Sequence, residues 1–547
     1  MRSISSTVLT LVAAYCLVSV DIVNALGTST FTLDATNPSF EWQESRTLDE
    51  KKAMAIAFVE QQMEKYPIPG MALSVVYQNE TVLAHGFGTK EFGKTDTPVT
   101  ADTLFQIGSF SKSFIGLAIG TLVDQGKMEW NDPVKRHLPW LTLVDKYAER
   151  YTTLADLLSM NSVFGAYEGD VAWMMGVYSS ERALVEHLDV FNTTRSFRAG
   201  WAYSNIGYSI LGQVIEAATN QTWHDYVHDA ILAPLGMKHT VAQAMDATPE
   251  LLSSGHFYCN KKVAGPYDLF NDRDVALVPQ NGLIAAGSII SSATDIAEFS
   301  KLLLRHGQGI IKNRDVFAAM ITGHQIVPLS GPTMERFGYY GYEPSGRAVG
   351  SGYGFDFAGK IAFGLDYFSK NGGTVAFLTE SAYVPSHELG VVLLSNASPQ
   401  DGDVLSKTAM AQIRSYILGI FLDIPVAELD AWHQKAIDGI HATGSSTPCD
   451  AHRFDGESWG TPGAVISNAT KQALVGTYQS TTNAFLGPAK IFTQGNDLML
   501  EYGVYTVALL ATSDPKTLIW NIGMAAAPLA VLGPGLVSHL GFDFVRQ

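Results

Sequence analysis

Ser-x-x-Lys occurs twice in this 547-residue chain, at Ser109-Phe110-Ser111-Lys112 and at Ser513-Asp514-Pro515-Lys516. A serine hydroxyl becomes a strong nucleophile when a neighbour takes its proton, and a lysine can do so if burial or a second cation favours its neutral form. Context separates the two copies. Ser513 lies in a proline-containing turn, where serine and lysine have no reason to converge. Ser109 follows Gly108 and opens an apolar helical stretch, so Ser109 and Lys112, at i and i+3, share one face. The same serine also has the position of a helix N-cap, the commoner use of serine there. A phenolate held by lysine is another kind of base, and Tyr203-Ser204-Asn205 supplies a tyrosine just ahead of a second helical stretch. Lys370-Asn371-Gly372-Gly373 precedes the apolar run 375–378; glycine there lets a substrate backbone approach a strand edge, and Lys370 can meet a carboxylate. No G-x-S-x-G elbow, H-E-x-x-H, G-x-x-x-x-G-K-[ST] loop or paired C-x-x-C is present, so covalent chemistry falls to these three elements, with no metal or cofactor implied.

The elements that must position them can be read from periodicity. Residues 47–65 predict a helix ended by Pro67 and Pro69, and 71–77 with 81–85 predict a hairpin. The stretch 114–126 predicts a helix that is apolar nearly all round, hence buried. From about 138 to 350 short helical stretches alternate with turns, among them helices at 208–219 and 293–305. Strand patterns return at 361–367, 374–379 and 389–394, followed by a long helix at 404–422. This order implies an α+β fold: one antiparallel sheet assembled from both ends of the region and flanked by helices, with an α-rich insertion between. Residues 423–468 read as a linker rich in turn formers, and 469–547 as a small all-β domain. The stretch 518–540 lacks Asp, Glu, Lys and Arg, but Pro528, Gly533, Pro534 and Gly535 interrupt it, so buried strands with turns account for it better than a membrane span.

Taken in order, Ser-x-x-Lys, Tyr-x-Asn about 90 residues on and Lys-x-Gly before a late strand resemble the serine β-lactamase and penicillin-binding-protein superfamily, in its class C β-lactamase-like branch. Further landmarks of that branch fall in order at Ile68-Pro69-Gly70-Met71, Asp102-Thr103-Leu104-Phe105, Gly200-Trp201, Pro234-Leu235-Gly236-Met237, Ala286-Gly287 and Tyr353-Gly354, across about 45–420. The resemblance implies a β-lactamase/transpeptidase-like catalytic region within 26–422 and a lipocalin-like C-terminal module. It implies an acyl-enzyme on Ser109, Lys112 and Tyr203 sharing proton transfer, and Asn205 orienting substrate and Lys112. Lys370 would anchor an anionic group, and the backbone N–H groups of Ser109 and Gly373 would form an oxyanion hole, with Gly372 beside it. Two departures stand out. Residues 157–163, Leu-Leu-Ser-Met-Asn-Ser-Val, lack the His and Gly of many relatives, and Lys370 stands where esterase relatives often have His. The expected function is a serine hydrolase, a peptidase or amidase on small carboxylate-bearing substrates, with an esterase, a transacylase or a catalytically silent binding protein as alternatives.

The chain carries 36 Lys plus Arg against 53 Asp plus Glu, a net charge of −17 that repels nucleic acid and anionic membranes. The expected partner is a small molecule or short peptide; oligomeric state is not legible. Arg2, the uncharged run 8–20 and Val23-Asn24-Ala25 have the form of a signal peptide over 1–25, which implies secretion. Sequons at Asn79, Asn192, Asn220, Asn396 and Asn468 suit a secreted glycoprotein. Beyond the signal, Cys259 and Cys449 remain, and either one disulfide or two separate buried thiols fits.

Overall fold

The computed structural model describes residues 45–547 except 279–281, 330, 343–347, 401, 403 and 444–445. The expected signal peptide lies outside the described residues. Helix α1, Leu48–Lys65, starts at a capping box in which Thr47 Oγ1 accepts from Glu50 N and Glu50 Oε2 accepts from Thr47 N at 2.7 Å. The hairpin β1, Gly70–Tyr77, and β2, Glu80–Gly88, follows. Helix α2, Ser111–Asp124, is buried nearly along its length. In the α-rich middle lie α3, Asp170–Met174, α4, Asn205–Thr219, and α5, Ala293–Leu304. The late strands are β3, Phe357–Ala362, β4, Leu365–Ser369, β5, Gly372–Gly373, β6, Leu378–Val384, and β7, Leu389–Ser395, followed by α6, Ala409–Phe421.

The main sheet runs β2-β1-β7-β6-β4-β3, with Gly350–Ser351 and Gln325–Ile326 beyond β3 and β5 paired beside β6. The early β1 lies antiparallel to the late β7, Leu73 opposite Leu393, so the sheet is assembled from both ends of the region as expected. Side chains alternate in β1: Ala72 and Val76 enter the core that holds α2 and α5, while Leu73 and Val75 enter the core that holds α1 and α6. The sheet is therefore covered on both faces.

Two strand boundaries differ from the sequence reading. The run 361–367 is not one strand: it breaks at Phe363 and Gly364, whose φ of 51° and 68° form a two-residue turn between β3 and β4. The run 374–379 breaks as well, since Thr374 N donates to Phe377 O at 2.9 Å before β6 resumes at Leu378. The stretch 423–468, expected as linker, contains the 18-residue helix α7, Val426–Thr443. Its Leu429, Ala436 and Ile440 are buried against the α6 side of the core, and Trp432 packs on Phe363 with ring centres 5.6 Å apart. The apolar spacing was present, but turn formers downstream masked it. Cys259 and Cys449 are bonded to each other.

Nine antiparallel strands between Gly476 and Arg546 form a nearly closed sheet, its last strand Phe542–Arg546 pairing with its first, Gly476–Ser480. The uncharged stretch resolves into strands Thr517–Asn521, Ala526–Gly533 and Leu536–His539 with Leu518, Trp520, Leu529 and Val537 inside. Among the described residues no helix is long and apolar enough to cross a membrane. The interior of this unit is continuous with the core around α2 and α4.

Candidate active site

Ser109 does not cap a helix. Gly108, at φ 53°, turns the chain into the single 3₁₀ turn Gly108–Phe110, and α2 begins at Ser111 with Phe110 at its N-cap and no side-chain cap. The Ser109 hydroxyl instead accepts a hydrogen bond from Lys112 Nζ at 3.0 Å. Lys112 is fully buried, and burial of an ammonium requires compensating acceptors. Besides Ser109 it donates to Asn205 Oδ1 and to the Ala286 carbonyl, both at 2.7 Å. Gly116 lets α2 approach the backbone of Tyr353, where any β-carbon would stand 2.8 Å from the Tyr353 carbonyl oxygen.

The second motif sits at the entry to α4. Ser204 caps that helix through Gly207 N, which leaves Tyr203 and Asn205 for the site. Two lysines approach the Tyr203 ring, Lys112 Nζ at 5.0 Å and Lys370 Nζ at 4.9 Å from its centre. Its hydroxyl accepts from Lys370 Nζ at 3.0 Å. Asn205 donates through Nδ2 to Asp170 Oδ2 at 2.6 Å, and Asp170 Oδ1 also accepts from Trp173 Nε1 at 3.3 Å. Burial pushes the Asp170 carboxyl up to about 6, opposed by the bonds from Asn205 and Trp173 and by the Lys112 charge.

The third motif brings a strand edge against the serine. Residues 372 and 108 are both glycine because two backbones touch here: a β-carbon on Gly372 would lie 1.9 Å from Ile107 O, and one on Gly108 would lie 2.6 Å from Gly373 O. Ser109 and Gly373 line one crevice with Asn205, Trp173, Ala286 and Ile284, enclosing a cavity of about 20 Å³. Lys370 is buried, and its Nζ is 2.6 Å from Asp356 Oδ2. The charge expected to anchor a substrate carboxylate thus already has a carboxylate partner inside the protein.

All seven expected site residues, Ser109, Lys112, Tyr203, Asn205, Lys370, Gly372 and Gly373, converge, while Ser513 and Lys516 stay in a distant turn. Sequence reasoning missed Asp170 and Asp356. Neither belongs to a motif, and each is joined to its partner only by the fold. In the departing stretch 157–163, Met160 adopts φ 63° and its sulfur accepts from Ser204 N at 3.2 Å, so the thioether supports the Tyr203 turn from beneath. The C-terminal unit also reaches this neighbourhood. Phe485 is fully buried, packs on Phe191 with ring centres 4.6 Å apart, and takes the Tyr178 hydroxyl on its carbonyl at 2.8 Å. Val504 N donates to Met175 O at 2.9 Å, just beyond α3.

One sequon reading is corrected. Asn396 is fully buried; its Oδ1 accepts from Gly70 N at 2.8 Å and its Nδ2 donates to Thr89 O and Ser253 Oγ, both at 3.0 Å. A glycan there has no space, and the amide instead ties β1 to the loop after β7. Asn192, Asn220 and Asn468 are exposed and Asn79 is partly so.

A β-lactamase family model matches residues 55–414, and the chain belongs to that family of serine hydrolases. Among curated relatives, an unguisins hydrolase of Aspergillus campestris is 26% identical over 353 residues, 62% of this chain and 60% of that protein. The protein flp of Staphylococcus aureus strain MW2 is 26% identical over 271 residues, 47% of this chain and 50% of that protein. The matches thus span 60% and 50% of those two proteins. Solved structures share the fold. The octameric penicillin-binding protein homologue of Pyrococcus abyssi superposes with a TM-score of 0.56 at 19% identity, covering 90% of this chain and 100% of that one. The D-amino acid amidase of Ochrobactrum anthropi SV3 gives 0.55 at 20% identity, covering 68% and 99%.

Proposed function

We propose that this chain is a secreted amide hydrolase that works through an acyl-enzyme on Ser109. The observation that carries the reading is the Ser109 hydroxyl held 3.0 Å from a fully buried lysine whose other acceptors are Asn205 and Ala286. With three acceptors around Nζ, Lys112 has the coordination of an ammonium; the serine proton then passes to Tyr203, where attraction to two ammonium groups offsets the cost of a phenolate. Ser109 Oγ attacks the substrate carbonyl carbon, and the oxyanion takes the N–H groups of Ser109 and Gly373, donors whose loss typically costs about 10²–10³ in rate. Collapse breaks the C–N bond, and Tyr203 returns the proton to the leaving nitrogen. Water then attacks the ester, giving its proton to Tyr203, and the carboxylic acid departs as Ser109 regains its hydrogen.

The relatives named for hydrolase and amidase activity support amide chemistry, and the Cys259–Cys449 disulfide supports an oxidising compartment. Intact mass after exposure to a fluorophosphonate tests the core of the reading. One adduct on wild type and none on Ser109→Ala is expected. A folded wild type that gains no adduct from a panel of small fluorophosphonates would overturn it.

A further inference from the structure

We propose that Asp356 sets the substrate class of this site: by pairing with Lys370 it confines hydrolysis to amides whose leaving portion ends without a free carboxylate. The inference rests on the acyl-enzyme reading above and specifies its substrate.

Lys370 is 1% exposed and its partner Asp356 15%, with Nζ and Oδ2 2.6 Å apart. Taking an ammonium out of water is costly unless an anion comes with it, and here the protein supplies that anion itself. The pair stands beside the leaving side of the reaction. Lys370 Nζ is bonded to the Tyr203 hydroxyl at 3.0 Å, and Tyr203 is the group that returns a proton to the departing nitrogen. A carboxylate on the departing residue would have to share one ammonium with Asp356, at the cost of its own hydration and of repulsion between like charges.

The other lysine is matched as well. Lys112 donates to Asn205, Asn205 donates to Asp170 Oδ2 and Trp173 donates to Asp170 Oδ1, so both oxygens accept as those of a carboxylate do. Two ammonium groups thus face two carboxylates, and with the Tyr203 phenolate of the resting enzyme the constellation holds no surplus positive charge before any substrate arrives. Among the described residues that line the crevice there is no lysine or arginine to receive an anion. The whole chain, at −17, adds a long-range field that disfavours anionic ligands. A neutral carboxamide, or a further peptide bond, meets none of these penalties and can accept or donate hydrogen bonds along the strand edge at Gly373.

The test compares matched N-acetyl dipeptides, in L and D series, that end in carboxylate or carboxamide, by the ratio of their kcat/KM values. Wild type is expected to favour the carboxamide. Asp356→Asn, which removes the Asp356 charge from beside Lys370, shifts the ratio at least tenfold toward the carboxylate, and Asp356→Glu keeps the wild-type ratio. A purely structural role for Asp356 would lower both rates together. A wild type that prefers the carboxylate tenfold, or a ratio in Asp356→Asn within twofold of wild type, overturns the proposal. Should Asp356→Asn not fold, inhibition of wild type by the carboxylate and carboxamide forms of a non-hydrolysable N-methyl amide decides: stronger inhibition by the carboxamide supports the assignment and stronger inhibition by the carboxylate refutes it. Fluorophosphonate labelling of Ser109 accompanies each assay. Labelling with the wrong ratio sinks the Asp356 assignment alone, whereas no labelling of wild type sinks the acyl-enzyme reading itself.

Discussion

Gly372→Ala puts the geometry of the site under a single methyl group. The added carbon would start 1.9 Å from Ile107 O and 2.8 Å from Phe110 N, both backbone atoms that no rotamer change can remove. Relief to the roughly 3 Å that a carbon–oxygen contact tolerates at minimum requires β5 and the turn holding Ser109 to part by about 1 Å. That movement separates the two N–H groups of the proposed oxyanion site, which must lie about 2.7–3.1 Å from one oxygen to act together. Misplacement by about 1 Å, or loss of one donor, costs about 10²-fold or more in rate, close to 3 kcal/mol of transition-state stabilisation. Expected, then, is a folded Gly372→Ala with kcat for a small ester or amide lowered about 10²–10³-fold and slowed fluorophosphonate labelling. Gly439→Ala serves as the control, because a β-carbon there meets nothing within 4 Å and lies in α7, where alanine is the better helix former. Activity in Gly372→Ala within threefold of wild type, with a cooperative melt, would refute the claim that close contact between β5 and the serine turn builds the site.

Asp170→Asn tests the buried relay behind Lys112. Activity of wild type is expected to fall as pH drops through about 6, when protonation of Asp170 weakens its charge-assisted bond from Asn205, and that limb should vanish from the kcat/KM profile of the variant. Stability runs the opposite way: the raised carboxyl favours the folded state below about pH 4, its unfolded value, and the contribution is lost as pH rises through about 6, so urea midpoints across this window should decline less in Asp170→Asn. Phe485→Ala tests the C-terminal unit as a support for α3. Removing this buried ring destabilises by about 3–5 kcal/mol and should lower kcat even at temperatures where the protein is fully folded, since a β-carbon on Gly169, next to Asp170, would lie 3.2 Å from the Phe485 ring. Leu529→Ala, inside the same unit but away from α3, should lose comparable stability and no kcat; equal kcat losses in the two variants would mean the support is generic.

Much of the fold was legible because burial imposes period. The β-rich apolar run 71–77, the all-round apolar character of α2 and the uncharged strands near the C-terminus each follow from which faces meet a core. The failures have equally local causes. Phe363 turns at positive φ despite its aromatic ring, and a pattern reading sees only one apolar run there. The helix α7 hides among polar residues because it contacts the core along one stripe.

By itself, the sequence determined the chemistry available: a serine with a lysine one helical turn on, a tyrosine and asparagine about 90 residues later, and a lysine-glycine strand edge, in an order that defines the family. Spacing along the chain carries that information because i and i+3 are neighbours on any helix. What balances those charges was decided by tertiary structure. Asp170 is linked to Lys112 through Asn205, 35 residues along the chain from Asp170, and Asp356 meets Lys370 across two strands. Electrostatic energy depends on distance in space and on exclusion of water, neither of which is written in the order of residues. For the same reason Lys370, alone in sequence an invitation to a carboxylate, is in the fold already answered by one.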